Sequence, residues 1–422
     1  MRRTYLNCDI SIVALVFFVG VSSAYLTSVT HFSPYYFGLL LLIVNSFILV
    51  IHNSKMQNDS VSKALLMLIS VITVFLIFNI CFTKTFGKLF SILFLLLINQ
   101  MSTLIVYEMC FLCSKKVDAE VYIKNAVNLY FWIEIFIGIA DIFYRFAKRT
   151  YSYAGLQYFY NFKTSIMFED SNWNGFIYMI SFAFFLYLYD NYRIIGKWHL
   201  RILFFYCILS LSRAAVFSSI LVIIYSRFIK LSDKKKKIYV LFLILFSIFI
   251  LPFMFFYVSH DDSFNTKIVI IKGLLYYISH TPIDKLLIGF GSGFATSEYS
   301  LPYLNYAWVQ GHLYVVIKIM DIGLLGLFLD FLYFIALIKK SNGKFLYMLL
   351  PFFVCGLSMC PTNLSYMYVF SGVLLYLENH KRGMQYGFNQ RDNADLQCRV
   401  VCGRSNRVDL KSIIFKYRIC DC

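Results

Sequence analysis

Apolar segments long enough to cross a lipid bilayer recur along almost the whole chain. A hydrocarbon core of about 30 Å is crossed by about 20 apolar residues of α-helix. On that measure the sequence predicts about twelve membrane-spanning helices. They are expected over 10–30, 34–51, 63–83, 88–110, 121–143, 173–190, 200–212, 214–229, 238–258, 313–338, 345–361 and 364–378. Only Ser212 and Arg213 separate the seventh segment from the eighth, so one bent helix is the alternative there.

The balance of side chains excludes a water-soluble globule. Hydrophobic residues make up 60% of the chain and charged residues only 14%, whereas soluble domains carry about 25% charged residues. Disordered, collagen-like and secreted disulfide-rich classes are excluded by the same composition. The sequence therefore predicts an all-α polytopic membrane protein. A transmembrane bundle over 1–378 is expected to precede a polar cytoplasmic tail over 379–422.

Cysteines give little sign of a disulfide framework or of a metal site. Most lie in or beside apolar segments, where a buried thiol acts as a small hydrophobic group. In the tail, Cys398 lies close in sequence to Cys402, and Cys420 to Cys422. No histidines stand beside them at zinc-ligand spacing. No metal and no other cofactor is expected.

The excess of positive charge indicates membrane topology. The net charge is +17, from 39 Lys and Arg against 22 Asp and Glu. Cytoplasmic loops of membrane proteins collect Lys and Arg, so nucleic acid is not the expected partner. With the N-terminus inside, the inner loops carry more cations than the outer ones, including the run Lys234–Lys237. Both termini are therefore predicted in the cytoplasm. Arg2 and Arg3 resemble the start of a signal peptide, but the apolar run continues to about Val29, which favours a retained helix.

Two long segments, 144–172 and 259–312, are predicted on the outer face. Long ordered connections are often functional. The apolar spacing over 266–279, between flanking cations, predicts an amphipathic helix at the membrane surface.

The first outer segment combines cations with carboxylates. Arg145, Arg149 and Lys163 precede Glu169 and Asp170. Guanidinium and ammonium groups suit phosphate oxygens, and carboxylates can bind sugar hydroxyls or transfer protons. The alternative is a loop whose charges pair with one another or with lipid headgroups.

Other candidate residues adjoin the apolar segments. Arg213 either extends its side chain to the headgroups or faces an anionic ligand. His312 stands at the mouth of a span and can accept a proton near neutral pH, although a structural histidine is the alternative. The glycines over 289–293 favour a tight turn close to a bound substrate. Lys318 and Asp321, three residues apart inside a span, are expected to neutralise each other.

In their order and sidedness these segments resemble the O-antigen polymerase and O-antigen ligase superfamily of bacterial envelope glycosyltransferases. The resemblance covers about 120–340. Its matching segments are 163–175, 209–214, 288–294 and 311–326. The chain departs from the family pattern at Lys163 and Lys267, where the family usually has arginine, and at Leu313.

The resemblance implies a GT-C-like bundle, metal-independent, in the bacterial inner membrane. Its substrates would be undecaprenyl-diphosphate-linked oligosaccharides, used as donor and acceptor at the periplasmic face. A polymerase is preferred over a ligase by analogy. Membrane lipid, a chain-length regulator and a flippase of the same pathway are the expected partners.

The predicted mechanism assigns roles by residue. Arg213 is expected to stabilise the diphosphate leaving group, with Arg149, Lys163, Lys267 and Arg145 as further ligands. His312 would orient or deprotonate the acceptor hydroxyl, and Glu169 and Asp170 are secondary candidates. The competing class is a transporter or flippase, which would carry charges buried near the midplane and broken helices.

Overall fold

The computed structural model describes residues 59–89, 92, 96–114, 119–152, 155–166, 171–242, 248, 262–297, 313–357 and 365–380. Within these ranges the secondary structure is helical and contains no strand. The first two predicted spans and the catalytic candidates Glu169, Asp170 and His312 lie outside the described residues. The chain divides into two units, Met1–Tyr376 and Leu377–Cys422. Of the second unit, only 377–380 are described.

Thirteen helices are numbered here in chain order within the described ranges. They are α1 Ser60–Thr83, α2 Ser102–Ser114, α3 Ala119–Ala147, α4 Ser171–Asn191, α5 Lys197–Leu209, α6 Arg213–Ile229, α7 233–242, α8 Asp262–His280, α9 Ile283–Ile288, α10 Phe294–Ser297, α11 Tyr314–Lys340, α12 Leu346–Gly356 and α13 366–380. Short 3-10 helices lie at Phe86–Lys88 and Gly155–Phe162, and a π-helical turn, Leu97–Met101, leads into α2.

Three described segments are long and apolar enough to cross a membrane. They are α1, the part of α3 over Val121–Ala147, and α11. The described helices are therefore consistent with a helical membrane protein. The total of twelve spans stays a prediction.

Most predicted spans with described residues coincide with helices. The turn between α5 and α6 keeps these two helices separate. Leu211 has a left-handed backbone with φ 57°, and Ser212 Oγ accepts a hydrogen bond from Ala215 N at the start of α6. A serine at this position satisfies a free N–H at a helix start, which explains why a new helix begins here. The predicted segment 266–279 is helical, as part of α8. Neither outer segment is merely a loop, because α3 extends to Ala147 and α8, α9 and α10 occupy much of 259–312.

Helix α4 lies at the centre of the bundle. Its residues from Asn174 to Leu188 are all buried. It packs against α5, α6 and α12, and Phe184 stacks on Phe370 with ring centroids 4.4 Å apart. A helix that is apolar on every side has to be surrounded in this way.

Helix α11 is broken at Gly323, where φ is 71° and ψ is −178°. Lys318 Nζ lies 2.6 Å from Asp330 Oδ2, across the break. In an unbroken helix these residues would be about 18 Å apart along the axis, beyond the reach of both side chains. The predicted span over 313–338 is therefore two helical legs that bend sharply at Gly323. Lys318 interacts electrostatically with Asp321, as predicted, but the bend gives it a second carboxylate, Asp330, with which it forms the ion pair.

Candidate functional site

Two of the sequence segments singled out above, 163–175 and 209–214, meet at the end of α3. Asp141 is the centre of this contact and is 1% exposed. Its carboxylate accepts hydrogen bonds from Ser165 Oγ at 2.7 Å, Ile166 N at 3.0 Å and Asn174 Nδ2 at 2.8 Å. It also forms an ion pair with Arg145, one helical turn later. These bonds fix the segment before α4 against α3.

Arg145 connects this network to the turn between α5 and α6. Its Nη1 donates to Leu209 O at 2.8 Å, and the residue is only 5% exposed. Close packing completes the junction, because a Cβ at Gly175 would lie 2.6 Å from Ser210 Oγ and from Ser212 Cβ. The predicted phosphate ligand Arg145 is thus turned into the protein, where it joins α3 to the turn that carries Arg213.

The cations Arg213 and Lys163 both lie beside Tyr160. Arg213 Nη2 is 3.4 Å from the Tyr160 hydroxyl, and Lys163 Nζ is 4.5 Å from the centre of the Tyr160 ring. Arg213 is exposed and Lys163 is half-buried. Cations stack favourably on the face of an aromatic ring. Tyr160 therefore brings two positively charged side chains, from distant parts of the chain, to one place.

Arg149 belongs to the same region, and Lys267 lies on α8. The exposed Arg149 Nε donates to Tyr151 OH at 2.6 Å. The next residue, Thr150, is bonded through its backbone N to Asn161 O at 3.0 Å, beside Tyr160. Lys267 is half-buried on α8, a helix that packs against α11. The structure thus places Arg149 near the Tyr160 segment and Lys267 on another element.

A shallow, open apolar groove lies along the first turns of α6, beside Arg213. It has a volume of about 440 Å³ and is lined by Leu211, Val216, Phe217 and Ile220, with Ser212 and Arg213 at its edge. Phe217 is 54% exposed and Ile220 is 42% exposed. A positively charged side chain thus lies next to an exposed apolar surface. This arrangement suits a ligand with an anionic group and a hydrocarbon chain.

The two helices that flank the turn before Arg213, α5 and α6, are short. Helix α5 has 13 residues and α6 has 17. At 1.5 Å per residue, these lengths are about 20 Å and 26 Å, less than a hydrocarbon core of about 30 Å.

The glycine-rich segment 288–294 packs against the break in α11. Gly293 N and Ala295 N donate to the Asp321 carboxylate at 2.8 Å and 2.9 Å. A Cβ at Gly289, where φ is 95°, would lie 2.6 Å from Asp321 O. The prediction that these glycines allow a turn beside a substrate stays open. Their immediate role is close contact with α11.

Phe352 on α12 packs against both α4 and α11. Its ring centroid lies 5.9 Å from that of Phe176, next to Gly175, and 5.3 Å from that of Tyr314, at the start of α11. Phe352 therefore contacts one aromatic side chain of α4 and one of α11.

Sequence reasoning missed Asp141, Tyr160 and Asp330. The i, i+4 spacing of Asp141 and Arg145 was a usable signal for a helical ion pair. Tyr160 and Asp330 gave none, since each owes its role to a chain reversal. Among the described residues, no group of three or more His, Cys, Asp and Glu side chains is placed to hold a metal ion.

No protein-family profile matches the chain, and no curated protein sequence matches it significantly.

Proposed function

We propose that this chain is a polysaccharide polymerase of the bacterial inner membrane. It would join undecaprenyl-diphosphate-linked repeat units by glycosyl transfer at the periplasmic face. The proposal rests on the resemblance of four segments to the O-antigen polymerase and ligase superfamily, together with the geometry around Arg213.

One observation carries the proposal: Arg213 lies at an apolar groove and shares Tyr160 with a second cation, Lys163. A polyprenyl diphosphate needs cations for its phosphate oxygens and an apolar surface for its chain. Arg213 and Lys163 supply the positive charge, and Phe217 and Ile220 supply exposed apolar surface. The short helices α5 and α6 favour a site below the membrane surface, where electrostatic attraction is stronger than in bulk water.

The reaction follows from the two substrates. The acceptor hydroxyl attacks the anomeric carbon of the donor's first sugar, and the bond from that carbon to the diphosphate oxygen breaks. Arg213 and Lys163, with Arg149, would stabilise the charge that develops on the departing diphosphate. His312 would take the hydroxyl proton, with Glu169 or Asp170 as the alternative bases. Lys267 stays a predicted ligand, and Arg145 would hold the Arg213 turn in place.

Lipopolysaccharide gels of a strain that lacks this gene test the proposal. A polymerase deletion leaves one repeat unit on the lipid core. Loss of all repeats from the core, with polymer retained on the carrier lipid, would identify a ligase instead. His312→Ala should reproduce the single-repeat pattern at a normal protein level, whereas full-length polymer from His312→Gln would exclude proton transfer by His312.

A flippase for the same lipid-linked glycan is the second candidate, because α11 is broken and contains a buried ion pair. Broken helices and charges inside a membrane bundle are typical of transporters. Asp330 is 4% exposed and binds Lys318. Repeat units that accumulate on the cytoplasmic face of the deletion strain would favour this function.

A further inference from the structure

A second cavity lies between α1, the π-helical turn before α2 and the two legs of α11. Its volume is about 310 Å³. Side chains such as Ile72, Phe75 and Leu329 form apolar walls. Small-molecule sites usually begin at about 300 Å³, so the cavity suits a ligand about the size of one ring.

The cavity extends from the glycine-rich segment into the bundle. Ser292 and Gly293 line one end, where Lys88 Nζ donates to Ser292 O at 2.7 Å. Ile72, also in the lining, lies about 17 Å along α1 from its end at Thr83. A ligand could therefore enter near Gly293 and bind at the level of the middle of α1.

The polar lining has donors and acceptors of several kinds. Asp330 binds Lys318 at 2.6 Å and accepts from Gln100 Nε2 at 3.3 Å. The Asp321 carboxylate accepts backbone hydrogen bonds, and Asn99 adds a second amide. The lining thus contains a three-donor ammonium group, two carboxylates that accept, and amides that both donate and accept.

The charge of this lining selects the ligand class. Among the described lining residues, Lys318 faces the carboxylates of Asp321 and Asp330, and Lys88 brings a second positive charge to the Ser292 end. The two carboxylates balance these two cations, so the lining offers no net positive charge to a phosphate group. Mixed hydrogen-bonding groups on apolar walls instead suit a sugar ring, whose hydroxyls bind polar groups and whose C–H faces pack on apolar ones.

We propose that this cavity is a subsite for one neutral or amino-substituted sugar ring of the acceptor repeat unit. This subsite proposal rests on the proposed polymerase function. It gives the acceptor a binding place separate from the cations that would bind the donor diphosphate. The electrostatic contrast between the two sites would keep each part of the substrates in its own place.

Matched variants can fill the cavity without changing its charge. Leu329→Phe adds a ring to the wall of the cavity. Leu325→Phe makes the same exchange one turn earlier, at a residue that is 43% exposed and does not line the cavity. Gln100→Met keeps the size of the side chain and removes its amide. Size-exclusion profiles of the purified variants exclude misfolded protein from the comparison.

The first test measures sugar binding alone. The thermal unfolding midpoint of the purified full chain in detergent is measured with glucose, galactose, mannose, N-acetylglucosamine or glucosamine. At least one sugar should raise the midpoint of the wild type and of Leu325→Phe, but not that of Leu329→Phe. No rise with any sugar, or an equal rise in Leu329→Phe, would overturn the subsite.

The second test measures chain growth on an undecaprenyl-diphosphate-linked repeat unit. Leu329→Phe and Gln100→Met should lower the initial rate at least about tenfold, within the range for altered pocket contacts. Binding of undecaprenyl diphosphate alone should be unchanged. If Leu329→Phe and Gln100→Met extended chains as fast as the control Leu325→Phe, the subsite would be contradicted but the polymerase proposal would not. No polymer from the wild type would instead contradict the polymerase, and sugar binding would still decide the subsite.

Discussion

At the scale of single residues, the two arginines of the candidate site have different tasks. Arg145 is buried, paired with Asp141 and bonded to Leu209 O, whereas Arg213 is exposed beside Tyr160. A buried cation engaged by the protein fixes structure, whereas an exposed cation at a groove is accessible to an anion. The two residues should therefore respond differently to substitution.

Arg213→Lys should be nearly as damaging as Arg213→Ala. Lysine cannot reproduce the planar guanidinium fork that binds two phosphate oxygens. Loss of one electrostatic stabiliser of this kind costs on the order of 10²–10³ in rate. Chain growth by purified variants measures the effect, with Arg227→Ala, at the other end of α6, as the control. Normal growth from Arg213→Ala would assign Arg213 to the lipid headgroups.

Asp141→Asn should destabilise the fold. It would leave the guanidinium of Arg145 buried without its counter-ion, which typically costs about 3–5 kcal/mol of unfolding free energy. The double variant Asp141→Asn with Arg145→Met should recover part of that loss, because the stranded charge is removed. Unfolding of the purified protein measures both.

Asp233→Asn is the control for the loss of that ion pair. Asp233 forms a helical ion pair with Lys236, but its side chain is 94% exposed, so unfolding should barely change. Equal effects at Asp141 and Asp233 would contradict a structural role for the buried pair.

The sequence revealed the types of residues in the site better than their contacts. Cations near a membrane face are visible as departures from the usual sidedness of Lys and Arg. Whether such a cation points outward, like Arg213, or inward, like Arg145, depends on where α4 and α5 pack. The resemblance placed both segments in one family pattern, but spacing alone did not bring Arg213 to Tyr160.

At the scale of helices, the apolar runs predicted where helices occur but did not predict where a helix bends. The run over 173–190 became α4, Ser171–Asn191, because a continuous apolar segment in a bundle has little alternative to a buried helix. The run over 313–338 gave no sign of a bend, since one glycine is often tolerated in a helix. The bend depends on the 288–294 segment, which is distant in sequence and packs onto Gly323.

Gly323→Ala should prevent correct folding of α11. Its backbone lies in a region that is essentially confined to glycine, and a Cβ there would be 2.2 Å from Leu287 O. Gly343→Ala is the matched control. Gly343 also has a positive φ, of 78°, but an added Cβ meets nothing within 4 Å. The yield of folded protein should be lower for Gly323→Ala than for Gly343→Ala, and equal yields would contradict a packed junction.

At the scale of the whole molecule, the arrangement across the membrane is still a prediction from charge. Alkaline phosphatase fused after Asp284 should be active, because it would lie outside. The same enzyme fused after Lys236 should be inactive. The reverse pair of activities would place the cations of the candidate site in the cytoplasm, and the polymerase proposal would fail with the orientation.

The shortness of α5 has a consequence for the surrounding lipid. Phe205 and Ile208 on this helix are 56% and 45% exposed, so the helix presents an exposed apolar face. On the prediction that α5 crosses the membrane, a helix of about 20 Å in a core of about 30 Å would create a hydrophobic mismatch, which the bilayer relieves by thinning locally. Lipids with shorter acyl chains should therefore raise turnover in reconstituted vesicles, and longer chains should lower it. The headgroups drawn inward beside α5 would shorten the path that a polyprenyl-linked sugar takes from the membrane surface to Arg213.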